Sequence, residues 1–251
     1  MLSVCLKHLQ LRMKEATDML CSIEKIEPLT NLIFRVLLKP DQPFEFRAGQ
    51  YINVSLSFGS LPFSIASCPS NGAFLELHIG GSDISKKNTL VMEELTNSWI
   101  CGNMVEVSEA RGDAWLRDES VKPLLLVAGG TGMSYTLSIL KNSLEQGFIQ
   151  PIYVYWGAKD MDNLYVHDEL VDIALENKNV SYVPVTEIST CPQYAKQGKV
   201  LECVMSDFRN LSEFDIYLCG PCKMVEVARD WFCDKRGAEP EQIYADAFAY
   251  L

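Results

Sequence analysis

The chain has 251 residues, enough for one large domain or two ordinary ones, and its 48% hydrophobic and 22% charged residues are those of a globular protein. Its 22 Lys and Arg against 33 Asp and Glu give a net charge of -11, which argues against nucleic acid or an anionic membrane surface as partner, since both demand clustered cations. No apolar run approaches the roughly 20 residues that span a bilayer, and Lys7, His8 and Arg12 interrupt any early secretory pattern, so a cytoplasmic location without membrane contact is expected.

Residues 1–18 stand apart as an N-terminal extension. Leu2, Leu6, Leu9 and Met13 fall at helical spacing, which suits a short surface helix or a tail, unless the native chain starts at Met19. From 19 to about 118 the signals are of strands: Ile23–Ile26, Leu32–Leu38, Tyr51–Leu56, Phe74–Ile79 and Met104–Val107 are short, β-branched or alternating, and are separated by Pro, Gly, Asn and Asp. One helical run, Asn88–Thr96, interrupts them. This pattern predicts a small antiparallel barrel.

From about 119 to 251 the pattern changes, past a charged stretch that ends at Pro123. Strands are predicted at Leu124–Ala128, Ile152–Trp156, Val180–Val185, Ile216–Cys219 and Gln242–Ala245. Helices are predicted at Ser134–Glu145, Val166–Glu176, Leu201–Ser206 and Met224–Lys235. Continuous apolar strands alternating with helices mean an α/β, doubly wound parallel sheet covered on both faces.

Nine cysteines at irregular spacing suit reduced thiols. Cys219 and Cys222 have C-x-x-C spacing, but no histidine lies close to them in sequence, so no metal site is expected.

The first strand of the α/β half runs into Gly129, Gly130, Thr131 and Gly132 before Met133 opens a helix. Helix-start N–H groups lack partners and carry partial positive charge, and missing side chains let phosphates approach them. A sharp structural turn explains the same glycines, and the usual G-x-G-x-x-G and an acidic ribose ligand are both absent. A second turn, Cys219-Gly220-Pro221, ends a later strand of the same sheet, where parallel strands form one crevice at their carboxyl edge. In the barrel half, Pro62, Phe63, Ser64 and Ile65 set a lone hydroxyl between apolar residues, a strip along which a flat ring can lie, or else an ordinary edge strand. The aromatic C-terminus, ending Tyr250-Leu251, could shield such a ring or simply dock.

Taken together, the segments FRAGQY (46–51), PFSIAS (62–67), LELHIGGS (75–82), GDAWLRD (112–118), AGGTG (128–132), YWG (155–157), CGP (219–221) and DAFAY (246–250) resemble the ferredoxin–NADP reductase-type superfamily. Within it they resemble the NAD(P)H:flavin oxidoreductases, and among these the flavin reductases encoded in bacterial luminescence operons. The resemblance implies a six-stranded flavin-binding barrel followed by a pyridine-nucleotide domain. The flavin site would then comprise Pro62, Phe63, Ser64, Ile65, His78, Ile79 and Tyr250, with Ser64 as the catalytic hydroxyl near flavin N5. The nucleotide site would comprise Gly129, Gly130, Thr131, Gly132, Met133, Cys219, Gly220 and Pro221.

Many relatives carry Arg before the Pro-aromatic-Ser segment, where it serves a flavin phosphate or tail; here Leu61 offers no donor. FMN or riboflavin is therefore expected as an exchangeable substrate rather than a permanent group. Hydride transfer needs the two rings aligned to roughly 3–3.5 Å and shielded from water, with little acid–base help. NADH is expected to serve at least as well as NADPH, because Lys159 beside Asp160 and Asp162 makes a poor 2′-phosphate clamp. Reduced FMN would pass to a flavin-dependent monooxygenase, with luciferase implied by the resemblance. The alternatives are an FAD-bound electron-transfer reductase that serves a protein acceptor, and a non-catalytic flavin carrier.

Overall fold

The computed structural model describes residues 18–81, 83–188 and 193–250, with the side chains of Asn71, Ala249 and Tyr250 outside that description; the extension at 1–17 also lies outside it. The first half builds six strands, β1 (Met19–Pro28), β2 (Ile33–Pro40), β3 (Tyr51–Leu56), β4 (Gly59–Ser64), β5 (Leu75–Gly80) and β6 (Val105–Val107). They pair antiparallel in the order β4-β3-β6-β1-β2-β5. The sheet nearly closes, because the Ala66 N–H just past β4 donates to the Glu76 carbonyl of β5 at 2.8 Å. Period-two alternation sends Val36, Leu38, Ile52, Val54, Leu75, Leu77, Val105 and Val107 into one core. Pro62, which cannot donate to a ladder, sits on β4 at the sheet's end.

Helix α1 (Lys86–Cys101) packs Val91 and Leu95, one turn apart, into that same core. It outruns the predicted Asn88–Thr96 at both ends. The added turns hold Lys, Asn, Ser and Trp rather than a repeating apolar face, and the real stop is Gly102 in the left-handed region, which donates back to Ser98 and Trp99 carbonyls.

The second half runs β7 (Leu124–Gly129), α2 (Met133–Glu145), β8 (Ile152–Ala158), α3 (His167–Glu176), β9 (Val180–Thr186), β10 (Lys196–Gln197), α4 (Val200–Asp207), β11 (Asp215–Cys219), α5 (Cys222–Arg236) and β12 (Ile243–Tyr244). All pairs are parallel, in the order β10-β9-β8-β7-β11-β12. Strand β10, two polar residues long, has no periodicity for a sequence reading to catch. The strand order reverses at β7, so a crevice opens beyond the carboxyl ends of β7 and β11. Helices α2 and α3 cover one face through Leu137, Leu140 and Leu170; α4 and α5 cover the other through Val204, Val225 and Phe232.

Ten of the thirteen residues of α2 are buried, because it packs on the sheet and the barrel half at once. The Tyr135 hydroxyl donates to the Ala114 carbonyl at 2.6 Å, and the Ser138 hydroxyl to the Ser67 carbonyl at 2.8 Å. The seven cysteines among the described residues form no disulfide, and no described helix is long and apolar enough to cross a membrane.

Candidate active site

The glycine turn after β7 has more than one reason for its glycines. Gly130 lies at φ +54°, and a Cβ there would meet nothing within 4 Å, so backbone conformation selects glycine and the space beside it stays open. Gly132 is different: a Cβ would stand 2.3 Å from the Cys219 carbonyl oxygen. A Cβ on Gly220 would stand 2.7 Å from Met224 Cε, and one on Gly129 2.8 Å from Met224 Sδ. The two turns, 129–132 and 219–221, therefore interlock across the switch point. The Trp156 indole N–H fixes the first of them by donating to the Gly130 carbonyl at 2.9 Å.

These turns form one side of a cleft of about 1200 Å³. Its other side is the barrel's β4 and β5, through Pro62, Phe63, Ser64 and His78. The two halves meet inside it, with the Ser64 hydroxyl of β4 and the Cys219 thiol of β11 both lining the cleft. Burial pushes that thiol up to about 12, and Asp246 adds to the rise while the Gly220 amide and Ser64 oppose it. Cys219 is thus a neutral packing surface at physiological pH rather than a thiolate nucleophile.

Of the site residues read from the sequence, Gly129, Gly130, Thr131, Gly132, Cys219, Gly220, Pro221, Pro62, Phe63, Ser64 and His78 line this one cleft. Ile65, Ile79 and Met133 do not; their side chains are buried in the barrel and sheet cores. Tyr250 belongs to the 3-10 turn at Asp246–Tyr250, and its side chain lies outside the described atoms. That turn is pinned by Asp246, whose Oδ1 accepts from the Asp113 and Ala114 amides at 3.0 and 3.2 Å.

His78 borders the cleft, yet its ring is fully buried and faces the seam between the halves. Its Nε2 lies 2.8 Å from Glu76 Oε1 and its Nδ1 3.3 Å from the Tyr165 hydroxyl. Tyr165 in turn meets Trp156 edge-on at 5.0 Å. Arg35 binds Glu27 and Glu76, both at 2.8 Å, and reaches Glu169 on α3; Lys141 on α2 meets Glu169 at 2.6 Å. This network joins barrel to sheet across long stretches of chain, 87 positions from His78 to Tyr165 and more from Arg35 to Glu169, which explains its invisibility in the sequence. Burial pushes the Glu76 carboxyl upward, but His78, Lys141 and Arg35 outweigh it and hold its pKa at about 2. A lowered acid contributes stability above its ordinary value and loses it as pH falls. Wild-type stability should therefore decline from about pH 4.5 towards pH 2. Glu76→Gln should flatten that limb and cost about 3 kcal/mol near neutrality, measured by urea melts across pH.

Sequence reading also missed the far walls of the cleft: Gly157 and Ala158 at the end of β8, Glu187 and Ile188 after β9, Lys199–Glu202 at the start of α4, and Trp231 on α5. Only the rule that parallel-sheet ligands gather at carboxyl edges pointed there. A Cβ on Gly157 would stand 2.8 Å from Val200, so that glycine seats α4 against the sheet.

Residues 126–230 match a family model described as an oxidoreductase NAD-binding domain. The chain is 96% identical to a probable flavin reductase of Vibrio harveyi, over 93% of this chain and 100% of that protein. It is 40% identical to an NAD(P)H-flavin reductase of the same organism, over 92% of this chain and 98% of the relative. Among solved structures, a cytochrome P450 reductase of Amycolatopsis superposes with a TM-score of 0.81 at 25% identity, covering 91% of this chain and 69% of that one. Barrel, switch-point cleft and relatives agree: the chain belongs to the NAD(P)H-flavin reductases, oxidoreductases of the ferredoxin reductase type.

Proposed function

We propose that the chain transfers a hydride from NADH to free FMN or riboflavin in the cleft between its halves, and releases the reduced flavin. Residues 19–118 carry the flavin ring against β4, and residues 119–251 carry the nucleotide on the interlocked turns. The single observation that supports this most strongly is that Ser64 and Cys219 line one cleft, which makes the ring strip and the second turn neighbours across it. Nicotinamide supplies the hydride and flavin accepts it. The protein holds the two rings face to face, keeps water out and offers the Ser64 hydroxyl near the accepting nitrogen. Cys219 and Pro221 pack beside the nicotinamide, while the open flank of Gly130 and the start of α2 face the pyrophosphate.

Release of the flavin follows from what β4 lacks. Leu61 packs against the barrel core and provides no charged donor for a phosphate or a long tail. The NADH preference rests on the outer wall of the cleft. There Lys159 pairs with Asp83 at 3.5 Å, the Asp160 carboxylate is tied to Asn163, and Glu187 and Glu202 face the same space. A 2′-phosphate would meet carboxylates as often as cations. The downstream consumer is a flavin monooxygenase in the cytoplasm, with luciferase the favoured one on family resemblance.

Protein dialysed extensively should be colourless and still reduce added FMN catalytically. Its KM for NADH should be no higher than that for NADPH in steady-state assays under each coenzyme. Retained yellow colour would favour a bound-FAD reductase, and a clearly lower KM for NADPH would refute the coenzyme preference.

A further inference from the structure

Behind the cleft, three rings stand edge to face between its two walls. His78 comes from β5 of the barrel, Trp156 from β8 of the sheet, and Tyr165 from the link between β8 and α3. The His78 and Tyr165 ring centroids lie 5.2 Å apart at 87°, and those of Tyr165 and Trp156 5.0 Å apart at 83°. The Tyr165 hydroxyl is 3.3 Å from His78 Nδ1, and the Trp156 indole ends the series on the Gly130 carbonyl at 2.9 Å. The circuit closes, because β5 also packs against the turn at Gly130–Gly132. Of the three rings only His78 borders the cleft; Trp156 is wholly buried, and Tyr165 borders a separate hollow of about 380 Å³.

We infer that Tyr165 is a positioning residue for hydride transfer: as the middle ring of the His78–Tyr165–Trp156 series, it sets the gap between the barrel wall and the coenzyme turn. The inference rests on the reading that flavin lies against that wall and the coenzyme on the glycine turns. Aromatic rings are rigid, and edge-to-face packing at interior density leaves little slack. The bonds from Tyr135 and Ser138 of α2 tie the halves together; the rings keep the two walls at their distance. Hydride donor and acceptor must stand at roughly 3–3.5 Å, and a misplacement of about 1 Å caused by a residue far from the chemistry costs on the order of 100-fold. Binding tolerates the same shift, because each ligand is held mainly by its own wall.

Anaerobic stopped-flow mixing of NADH with enzyme and FMN provides the test, for wild type, Tyr165→Leu and Tyr165→Phe. Leucine keeps an apolar side chain but removes the ring; phenylalanine keeps the ring and gives up only the hydroxyl. If Tyr165→Leu is insoluble, Tyr165→Met, flexible and adaptable, takes its place with the same expectation. Removing the ring should slow hydride transfer by about tenfold, the cost of a fraction of an ångström, while the NADH and FMN concentrations at half-maximal rate change less than threefold. Phenylalanine should restore most of the rate. NADH deuterated at C4 should react more slowly than unlabelled NADH in the leucine variant, which identifies the slowed step as the transfer itself. An unchanged rate in Tyr165→Leu would overturn the inference, and so would phenylalanine no better than leucine. Weakened binding of both ligands in step with the rate would make Tyr165 a support of the fold alone. If wild type transfers no hydride from NADH to FMN, the reading of the cleft fails, and this inference fails with it.

Discussion

Ser64→Ala is expected to lower the rate of hydride transfer by about 10 to 100-fold in anaerobic stopped-flow mixing of NADH with enzyme and FMN, with flavin and NADH dissociation constants changed less than threefold. The size follows from one hydrogen bond to a group that gains charge as it accepts the hydride, worth about 1.5–3 kcal/mol. The specificity follows from position. Ser64 is the last residue of β4, an edge strand whose backbone pairs with β3 from Tyr51↔Ser64 to Leu56↔Gly59, so losing its hydroxyl leaves the strand in place. The hydroxyl lines the cleft beside the Cys219 thiol, a weak acceptor that does not compete with a bound ring. Binding energy spread over the strip and the turns is untouched; only an interaction that grows in the transition state is lost. An unchanged single-turnover rate would remove Ser64 from the chemistry.

Two glycines only two positions apart, Gly130 and Gly132, should answer differently to the same substitution. Gly132→Ala drives a methyl to 2.3 Å from the Cys219 carbonyl, with the Gly220 amide at 2.9 Å. Both are backbone atoms at the carboxyl end of β11, which pairs with β7, so neither can yield without parting the two strands. The expected result is a loss of several kcal/mol in urea unfolding, or insoluble protein. Gly130→Ala meets open space, and its cost is the left-handed backbone alone, about 1–2 kcal/mol. The variant should fold, with flavin affinity kept and KM for NADH raised because the new methyl stands where phosphates approach. Equal behaviour of the two variants would mean that the turns do not interlock as described.

Much of this molecule could be read along the chain. The strands of the sheet, Leu124–Gly129 and Ile152–Ala158, are continuous apolar runs that only a doubly covered parallel sheet explains. In the barrel, Tyr51–Leu56 and Val105–Val107 alternate strictly enough to give their inward faces. Local turn chemistry exposed both glycine turns. Legibility stopped where chemistry depends on distance through space. Nothing in the linear order marks Gly132 as a packing glycine, because its reason is the Cys219 carbonyl 87 positions away. His78 entered the flavin strip only through the resemblance, and the order of residues says nothing of the bonds its buried ring makes to Glu76 and Tyr165. Trp231 gave no signal in the sequence, and only the cleft's course along α5 brings it to the site.

Helix α2 has one more implication. Thirteen residues with ten withdrawn from solvent, bonded to carbonyls of the barrel half by Tyr135 and Ser138, leave neither half with a finished outer skin of its own. A clamshell motion would have to strip that helix bare and strand two buried carbonyls with each opening. The reductase is therefore built as a turnstile with a rigid frame: coenzyme and pigment pass through a fixed aperture one after the other, and traffic is regulated by how loosely each is held rather than by a door.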